Sequence, residues 1–464
     1  MIDWQKPEYE AALEKWQVID QACDEIKLDA FIIDLNSTDI SAENAARNKD
    51  YKARAVWFGA SSMTLAGLIG AAFDDAPTLE LGPLDYLKEN ADGQGVDLQS
   101  QMQAATAQVL RKARAGLFVS YPQTGPVSKA DQGRYQATIH LIDAGRITNW
   151  WTVTEGSQIK LGGVVFTDTQ EAVEDYEVKV TPVIRELALV DGLFVDRVWI
   201  ERDKEWIIRS EVYPKDGAGK PWTEIPFSFI GALDNTASID KPPPMMALVR
   251  LNIAHYRNSA DFEESTHFAG QAQPYIDPGD NPEGLAAVLE TAKEDGFYIG
   301  ARQLIVGKFG FAQAAANPAT LEAMNQKEAQ MLKAGARFLE VGTVAKTATQ
   351  ASGEQKVQHS ILSLVIANVE DAYQSAGRFA AKYMGADEPV ITLSRTFMQP
   401  AVSIEIIDRL IALLDRGLIG SEDALPLLKR ANLIGEDKTP EDYSEDIDAR
   451  GGNLGGNIGV DDAA

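Results

Sequence analysis

Four groups of residues have types that support chemistry, and their spacing decides how much of that chemistry survives. Gly300 and Gly307-Lys308 suggest a loop that cradles phosphate. Such a loop requires glycine where Arg302 stands, and Ser or Thr, to hold magnesium, where Phe309 stands. A turn beside a strand accounts for these residues better. The histidines, His140, His255, His267 and His359, are scattered, and none has metal-ligand spacing to another histidine or to Cys23. No metal and no other cofactor is expected. Carboxylate pairs such as Asp74-Asp75 and Glu263-Glu264 arise by chance in an acidic chain, and solvated charge explains them. Asn149 beside Trp150-Trp151 has the parts of a ligand-stacking site, but core and subunit-contact roles are commoner for tryptophan. Neither a Gly-x-Ser-x-Gly elbow nor a His-Glu-x-x-His pair is present. The expectation is a chain that is not an enzyme.

What survives is positional. Asn317-Pro318 places an N-cap ahead of a proline at the first helical position, so a helix is predicted from there to about Glu340. Leu321, Met324, Leu332 and Leu339 define one face of it. Gln326, Gln330, Lys333 and Arg337 fall on the other. A solvated polar face is the bland account. The sharper one turns this face to a channel or to an adjacent subunit, where a ring repeats each charge around its axis. The loop that follows, 341–353, has no apolar period, is rich in threonine and carries Lys346 as its only charge.

These residues need elements to hold them. Lys241-Pro242-Pro243-Pro244 is a stop, after which a helix is predicted from Met245 to about Ala269. Its stripe is Met245, Val249, Ile253, Tyr256 and Ala260, and the same face then turns polar at Glu263, Glu264 and His267. A helix that starts amphipathic and ends polar is leaving the core of its own domain. Between the two helices a small lobe is expected: a strand at Pro274-Tyr275-Ile276, a turn at Asp277–Asp280, a short helix from Pro282 to Ala292 and a strand from Gln303 to Val306. Upstream, helices are expected over Glu8 to Leu28, over 38–58 and over Leu98 to Ala115. From Tyr135 to Ile230 the period changes to two. Runs at Tyr135–Ile142, Ile159–Phe166, Tyr176–Leu189, Leu193–Glu201 and Trp206–Tyr213 predict an antiparallel meander, so the class is α+β. Glu354 to Met384 is the longest predicted helix, with a strand at Val390–Leu393 behind it. A helical hairpin follows, from Ser403 to Arg416 and from Ser421 to Asn432, with Gly417 as C-cap.

Composition bounds the rest. A length of 464 residues calls for two to four lobes. Cys23, the single cysteine, excludes an internal disulfide framework and reads as a small buried apolar side chain. A net charge of −26 argues against tight, sequence-independent gripping of DNA, which needs many basic contacts to phosphate. It leaves room for DNA that slides past. No signal peptide is read at the start of the chain. Residues 55–73 carry no charge until Asp74, yet contain Gly59, Gly67, Gly70, Ser61, Ser62 and Thr64, so a buried helix is preferred to a membrane span. From Gly435 to Ala464 nine acidic residues face two basic ones among glycine pairs, and disorder is expected.

One segment also carries a resemblance. Pro243 through Asp261, with Asn252, His255, Tyr256 and Ser259, closing on Gly270-Gln271-Ala272-Gln273-Pro274, resembles the stem-helix signature of one subgroup of tailed-bacteriophage portal proteins. Ile147-Thr148-Asn149-Trp150, Ile225-Pro226-Phe227 and the later Gly417-Leu418-Ile419 ahead of Ser421 fit the same order. The resemblance covers nearly the whole chain in element order, with its specific motifs between about Ile147 and Gly353. It implies a portal-type fold. The wing would be 1–241, helical at its start and β-rich over 135–230, and the stem the helices 242–270 and 317–340. The clip would be 271–316, a small α/β lobe, and the tunnel loop 341–353. The long helix and a return to the wing would occupy 354–402, a short helical crown 403–434 and a tail 435–464.

The resemblance further implies a homo-oligomeric ring, typically a dodecamer, at one vertex of a virion capsid. Such a ring is assembled in the host cytoplasm beside major capsid and scaffolding protein. Double-stranded DNA would pass through it without sequence specificity during packaging and ejection. The clip would dock the terminase large subunit and later the head–tail adaptor, through Asp277, Asp280, Glu283, Glu290, Lys293 and Glu294. Lys333, Arg337, Thr343, Lys346, Thr347, Thr349 and Gln350 would face the channel. No membrane is involved in this reading. The rival class is an enzyme with its site in the β-rich half.

Overall fold

The computed structural model describes residues 1–122, 135–237, 242–271, 273–277, 280, 282–284, 286–287, 290, 308–312, 318–339 and 360–395. The chain divides into two units, Met1–Ser394 and Arg395–Ala464, and the fold below is that of the first.

Three helices open the chain. In α1 (Pro7–Asp24) proline sits in the first turn with Glu8 and Glu10, which suit the positive end of the helix, and Glu25 ends it in the left-handed region at φ 56°. In α2 (Ala42–Arg54) the Ser41 side chain accepts from Asn44 N at 3.2 Å, and Lys52 and Arg54 occupy the last turn. The third, α3 (Ala60–Ala72), is apolar nearly all round but short. No helix among the described residues is long and apolar enough to cross a membrane. The expectation of a buried helix here is half right. Leu65, Leu68 and Ala72 are buried, whereas Met63 and glycines 67 and 70 face outward. Sequence alone could not separate the two faces, because both are apolar.

After a short strand β1 (Thr78–Glu80), α4 (Leu98–Lys112) is capped by Asp97, whose carboxylate accepts from Ser100 N at 2.8 Å. The chain then enters its sheets: β2 (Arg114–Ser120), β3 (Thr138–Asp143), β4 (Ile147–Glu155), β5 (Gln158–Glu174), β6 (Glu177–Val190), β7 (Leu193–Arg202), β8 (Glu205–Val212) and β9 (Phe227–Gly231). One sheet has three strands in the order β3-β2-β9. The other is a five-stranded antiparallel meander, β4 to β8 in sequence order. The tight turns at Asp175-Tyr176, Asp191-Gly192 and Asp203-Lys204 all have positive φ at both positions, as the twist of a two-residue hairpin demands. The class is α+β, as the change of period predicts. The run Ile147–Glu155 forms a further strand, β4, whose apolar alternation is broken at its start by Thr148-Asn149 and the adjacent Trp150-Trp151.

The hairpin of β5 and β6 outgrows its neighbours. Pairing between them runs from Gly163 opposite Ala188 to Glu174 opposite Glu177. β4 pairs with β5 only up to Phe166, and β7 with β6 only from Val183. The remainder is a two-stranded ribbon that carries exposed Val178 and Val180, with Tyr176 fully exposed at its tip.

The remaining elements are α5 (Met246–Gly270), β10 (Gln273–Asp277), β11 (Lys308–Ala312), α6 (Pro318–Ala336), α7 (Ile361–Met384) and β12 (Val390–Thr392). α7 is the central helix. Ser360 caps it through Ser363 N at 3.1 Å, Gly385 ends it at φ 63°, and Val365, Ile366, Val369, Ala372, Tyr373 and Ala376 are all buried. It packs with α4 against the three-stranded sheet. Of the apolar stripe its sequence carries, Ala372, Ala376, Phe379 and Tyr383 are buried, Leu364 is half-buried, Ile361 is exposed and Val357 lies outside the described residues. Glu370 and Gln374 then hold the returning chain, accepting from Leu393 N at 2.7 Å and Ile391 N at 3.0 Å. β12 pairs antiparallel with β1, which ties the returning chain to the segment ahead of α4. Cys23 is buried, and burial pushes its thiol up to about 11, so it acts as a small apolar side chain. The Ser403–Arg416 and Ser421–Asn432 hairpin and the acidic tail lie outside the described residues.

Candidate functional site: the helix pair and its hairpin

α5 starts where Met245 N donates to Leu110 O at 3.1 Å, so the triple-proline stop delivers the helix to the end of α4. The predicted stripe is buried in full: Met245, Val249, Ile253, Tyr256 and Ala260. The far half leaves the core only in part: Thr266, His267, Phe268 and Gly270 are exposed, while Asp261 and Glu264 find partners. Glu264 is buried and pairs with Arg54, and lies 3.8 Å from Arg47, while Asp261 accepts from the Tyr51 hydroxyl at 2.6 Å. Ser259 Oγ accepts from Val56 N at 2.7 Å, and Arg257 donates to Phe31 O at 2.8 Å. α2 therefore supplies the partners that the sequence pattern leaves open. A buried carboxylate without an opposite charge is costly, and two arginines remove that cost. Sequence periodicity misses this because the partners lie 210 residues away. Glu263 is half-buried and His267 is exposed.

Three residues beyond the end of α5, β10 begins, and it pairs antiparallel with β11 in the register Gln273 to Ala312 through Asp277 to Lys308. The chain thus reverses, and α6 returns alongside α5. His255 Nε2 lies 3.1 Å from Glu328 Oε1 and ties the two helices. Beyond α6, Phe338 O accepts from Leu362 N at 3.1 Å, so the chain leaves this point at one residue and comes back to it at the other.

The inward stripe of α6 corrects the expected one. Met331 and Phe338 are buried, with Met324, Glu328 and Gly335 half-buried on the same side. Leu321 and Leu332 point outward, at 44% and 77% exposure. The reason is that α5 and α3 flank α6 together, and their joint seam lies about one residue around the helix from the leucine face. Gln326, Gln330, Lys333 and Arg337 are all exposed, as drawn from the sequence.

Asp277, Asp280, Glu283 and Glu290 are exposed around the β10–β11 hairpin. Lys308 opens β11, while Gly300, Arg302 and Gly307 lie outside the described residues. Lys293, Glu294, Thr343, Lys346, Thr347, Thr349 and Gln350 lie outside the described residues, as do the expected strand Gln303–Val306 and the loop 341–353.

The other motif pieces meet at one corner. Trp150 on β4 is buried, with its ring 6.5 Å from Phe229, which in turn lies 5.0 Å from Phe227 on β9. Between Trp150 and Phe229 sits the Arg114 guanidinium, 4.0 Å from each ring centroid, 2% exposed and without a hydrogen-bond partner. Burial alone lowers its pKa to about 9. Lys6 Nζ approaches Trp150 as well, 4.6 Å from the ring, and donates to Trp150 O at 3.2 Å. Trp151 lies over glycines 162 and 163, where a Cβ would enter its ring. Trp150 is thus part of the core, while Trp151 packs one side on the glycines and is 36% exposed.

The β-rich half does hold a cleft, of about 410 Å³, which no spacing in the sequence reveals because its lining comes from five or more segments. His140, Arg146, Asp168 and Arg185 border it over a floor of Phe118 and Phe166. The cations are already matched. Arg185 binds Asp196 at 3.0 and 2.6 Å and stacks on Phe118, and Arg146 binds Asp168 at 2.6 Å. Burial, followed by the charge of Arg185, holds His140 below the usual imidazole value. Its Nε2 lies 2.9 Å from Thr138 Oγ1, a neighbour two residues away on β3. Among the described residues no cluster of three or more His, Cys, Asp or Glu has the arrangement to hold a metal ion.

A family model described as a domain of unknown function, DUF4055, matches residues 244–384, the span that runs from α5 to the end of α7. No curated protein matches the chain. Among solved structures it is similar to a chain of the virion of a native gene transfer agent particle, with 16% identity, a TM-score of 0.39 and coverage of 79% of this chain and 89% of that one. A chain in the neck of the native particle, computed with C12 symmetry, gives the same values. One in the neck of the empty particle, computed with C6 symmetry, gives 15% identity, a TM-score of 0.40 and coverage of 80% and 90%.

Proposed function

We propose that this chain is the subunit of a portal-type ring at a capsid vertex of a phage-like particle, through which double-stranded DNA is packaged and ejected. The observation that carries this reading is α6. It is nineteen residues long, about 28 Å at the usual rise, yet Met331 is its one buried residue. A helix of that length with leucines facing outward requires further surfaces, and copies of the same chain around a rotation axis provide them. The ordered motifs from Ile147 to Gly353 support the same reading.

In this assignment α5 and α6 form the stem. The lobe between them, with Asp277, Asp280, Glu283, Glu290, Lys293 and Glu294, docks the terminase large subunit and then the head–tail adaptor. Loop 341–353 faces the channel with Thr343, Lys346, Thr347, Thr349 and Gln350. One lysine per subunit gives a weak, salt-screened attraction suited to sliding contact. The ring sits in the virion beside the major capsid protein, having assembled with scaffolding protein in the host cytoplasm. The chain performs no covalent chemistry; ATP hydrolysis belongs to the terminase.

Light scattering on purified protein, with negative-stain imaging, tests this. A large homogeneous ring is expected, typically of twelve subunits. Monomers at every protein and salt concentration would rule the reading out. The second reading, an enzyme working in the cleft at His140, predicts a monomer or dimer and a small-molecule ligand that shifts the melting temperature and loses that effect in His140→Ala.

A further inference from the structure

Two polar side chains are enclosed at the start of α3 and in the middle of α5. Asn252 is fully buried, and neither its Oδ1 nor its Nδ2 has a hydrogen-bond partner in the chain. Ser61 is fully buried as well, and its Oγ also lacks one. The next residue, Ser62, shows the contrast. It is half-buried, and its Oγ lies 2.8 Å from Glu25 Oε1 and 2.9 Å from Gly59 O. An unmet polar group in a protein interior is costly, and native folds keep few of them.

The register of two packed segments brings the pair together. Val56 N donates to Ser259 Oγ at 2.7 Å, the Trp57 ring lies 5.2 Å from that of Tyr256, and the Phe58 ring 5.5 Å from that of His255. As the chain runs from 56 to 58, its partner on α5 steps back from 259 to 255. Asn252, His255 and Ser259 are spaced by three and four, so they share one line of the helix. The next residue on that line is Asn252. The next fully buried residue of the opposing segment is Ser61, and α3 and α5 pack together.

A direct bond between the two does not satisfy them. The amide brings two N–H donors and an oxygen that accepts, while the serine brings one hydroxyl. Bonding that hydroxyl to either end of the amide leaves the other end unmet. Water both donates twice and accepts twice, so it can take the Nδ2 proton, give one to Oδ1 and still reach the hydroxyl. The first turn of α3 adds donors of its own, because its cap is Gly59, which has no side chain to bond them.

We propose that the seam between α3 and α5 is an internal water site, in which ordered water joins the Asn252 amide to the Ser61 hydroxyl. Buried water typically makes about three hydrogen bonds to polar groups that the chain itself leaves open, and this seam offers that number. The site accounts for an asparagine between Val249 and Ile253, in the stretch of α5 where the stripe is otherwise apolar. The inference concerns the subunit alone and is independent of the ring proposed above.

An experimental map that resolves ordered solvent is the direct test. Density is expected within hydrogen-bond reach of both ends of the Asn252 amide and of Ser61 Oγ. A dry seam, or Ser61 Oγ bonded straight to the amide with no density beside it, would overturn the site. Chemical denaturation checks it in solution. Ser61→Ala should lower the folding equilibrium constant by about threefold or more, although alanine is the better helix former. A gain in stability would show that the hydroxyl had been unmet, and would count against the proposal. Asn252→Leu should lower the constant too, and the double variant should lose less than the two single losses combined, since both residues bond the same water. Strictly additive losses would mean that the two side chains share nothing.

Discussion

His255 Nε2 stands 3.1 Å from Glu328 Oε1, and the contact joins two helices whose residues lie 73 positions apart in the chain. The imidazole is 3% exposed and its Nδ1 is buried without a partner, so Glu328 is its recorded polar contact. Replacing Glu328 with alanine leaves a buried ring with neither nitrogen bonded. A loss of about 1–3 kcal/mol is expected. Chemical denaturation reads it directly, and the double variant with His255→Leu should recover a good part, since both polar groups are then gone. No recovery would mean that the contact contributes nothing beyond packing.

Arg114 makes the opposite prediction. Its guanidinium is sandwiched between Trp150 and Phe229 with no acidic partner. Stacking on an aromatic ring is worth about 0.5–2 kcal/mol, while desolvating an unpaired charge takes several. Arg114→Met keeps the length and removes the charge. The variant should be more stable than wild type at neutral pH, by about 1 kcal/mol or more. A clear loss of stability would show that the two rings outweigh the burial.

His140 gives a pH signature. Burial and Arg185 hold its folded value below the ordinary 6.5. The unfolded chain therefore takes up the proton first as pH falls. This component leaves stability unaffected well above 6.5 and subtracts from it as pH drops through 6.5 toward the folded value. His140→Gln should remove that slope. Denaturation midpoints for the two proteins at intervals between pH 8 and 5 should diverge only at the acid end, and parallel curves would refute it.

Tyr176 occupies the second position of the turn between β5 and β6 at φ 68°, and Asp175 before it stands at φ 48°. A tyrosine in the left-handed region carries about 1 kcal/mol of strain that glycine does not. Tyr176→Gly should therefore leave the isolated protein at least as stable, with a gain of up to about 1 kcal/mol, since the ring touches nothing. If the tip docks into a partner, the same variant should weaken that contact while the free chain melts no lower.

Periodicity made the architecture legible, and long-range pairing hid part of the site. The stripe Met245 to Ala260 and the strands of the meander follow from spacing of 3.6 and 2, because burial against one surface imposes that spacing. α6 defeated the same logic: two neighbours flank it, and the buried seam lies between the faces that hydropathy alone would choose. Glu264 departs from its pattern for a different reason. A carboxylate at a core position signals departure from the core only if no arginine waits across from it, and Arg54 does. The cleft at His140 drew on too many segments for any window to collect.

Phe338 O and Leu362 N meet at 3.1 Å, so the intervening residues begin and end at one point of the fold. Their length is then independent of everything that holds the helices. Lengthening a loop with fixed, adjacent ends is inexpensive, with each doubling adding about 0.6 kcal/mol. If the proposed ring places this segment in its channel, inserting or deleting residues within 340–359 should change the bore and leave the helices as they are. On the reading proposed above, aperture and scaffold would be separate variables, set by different stretches of sequence.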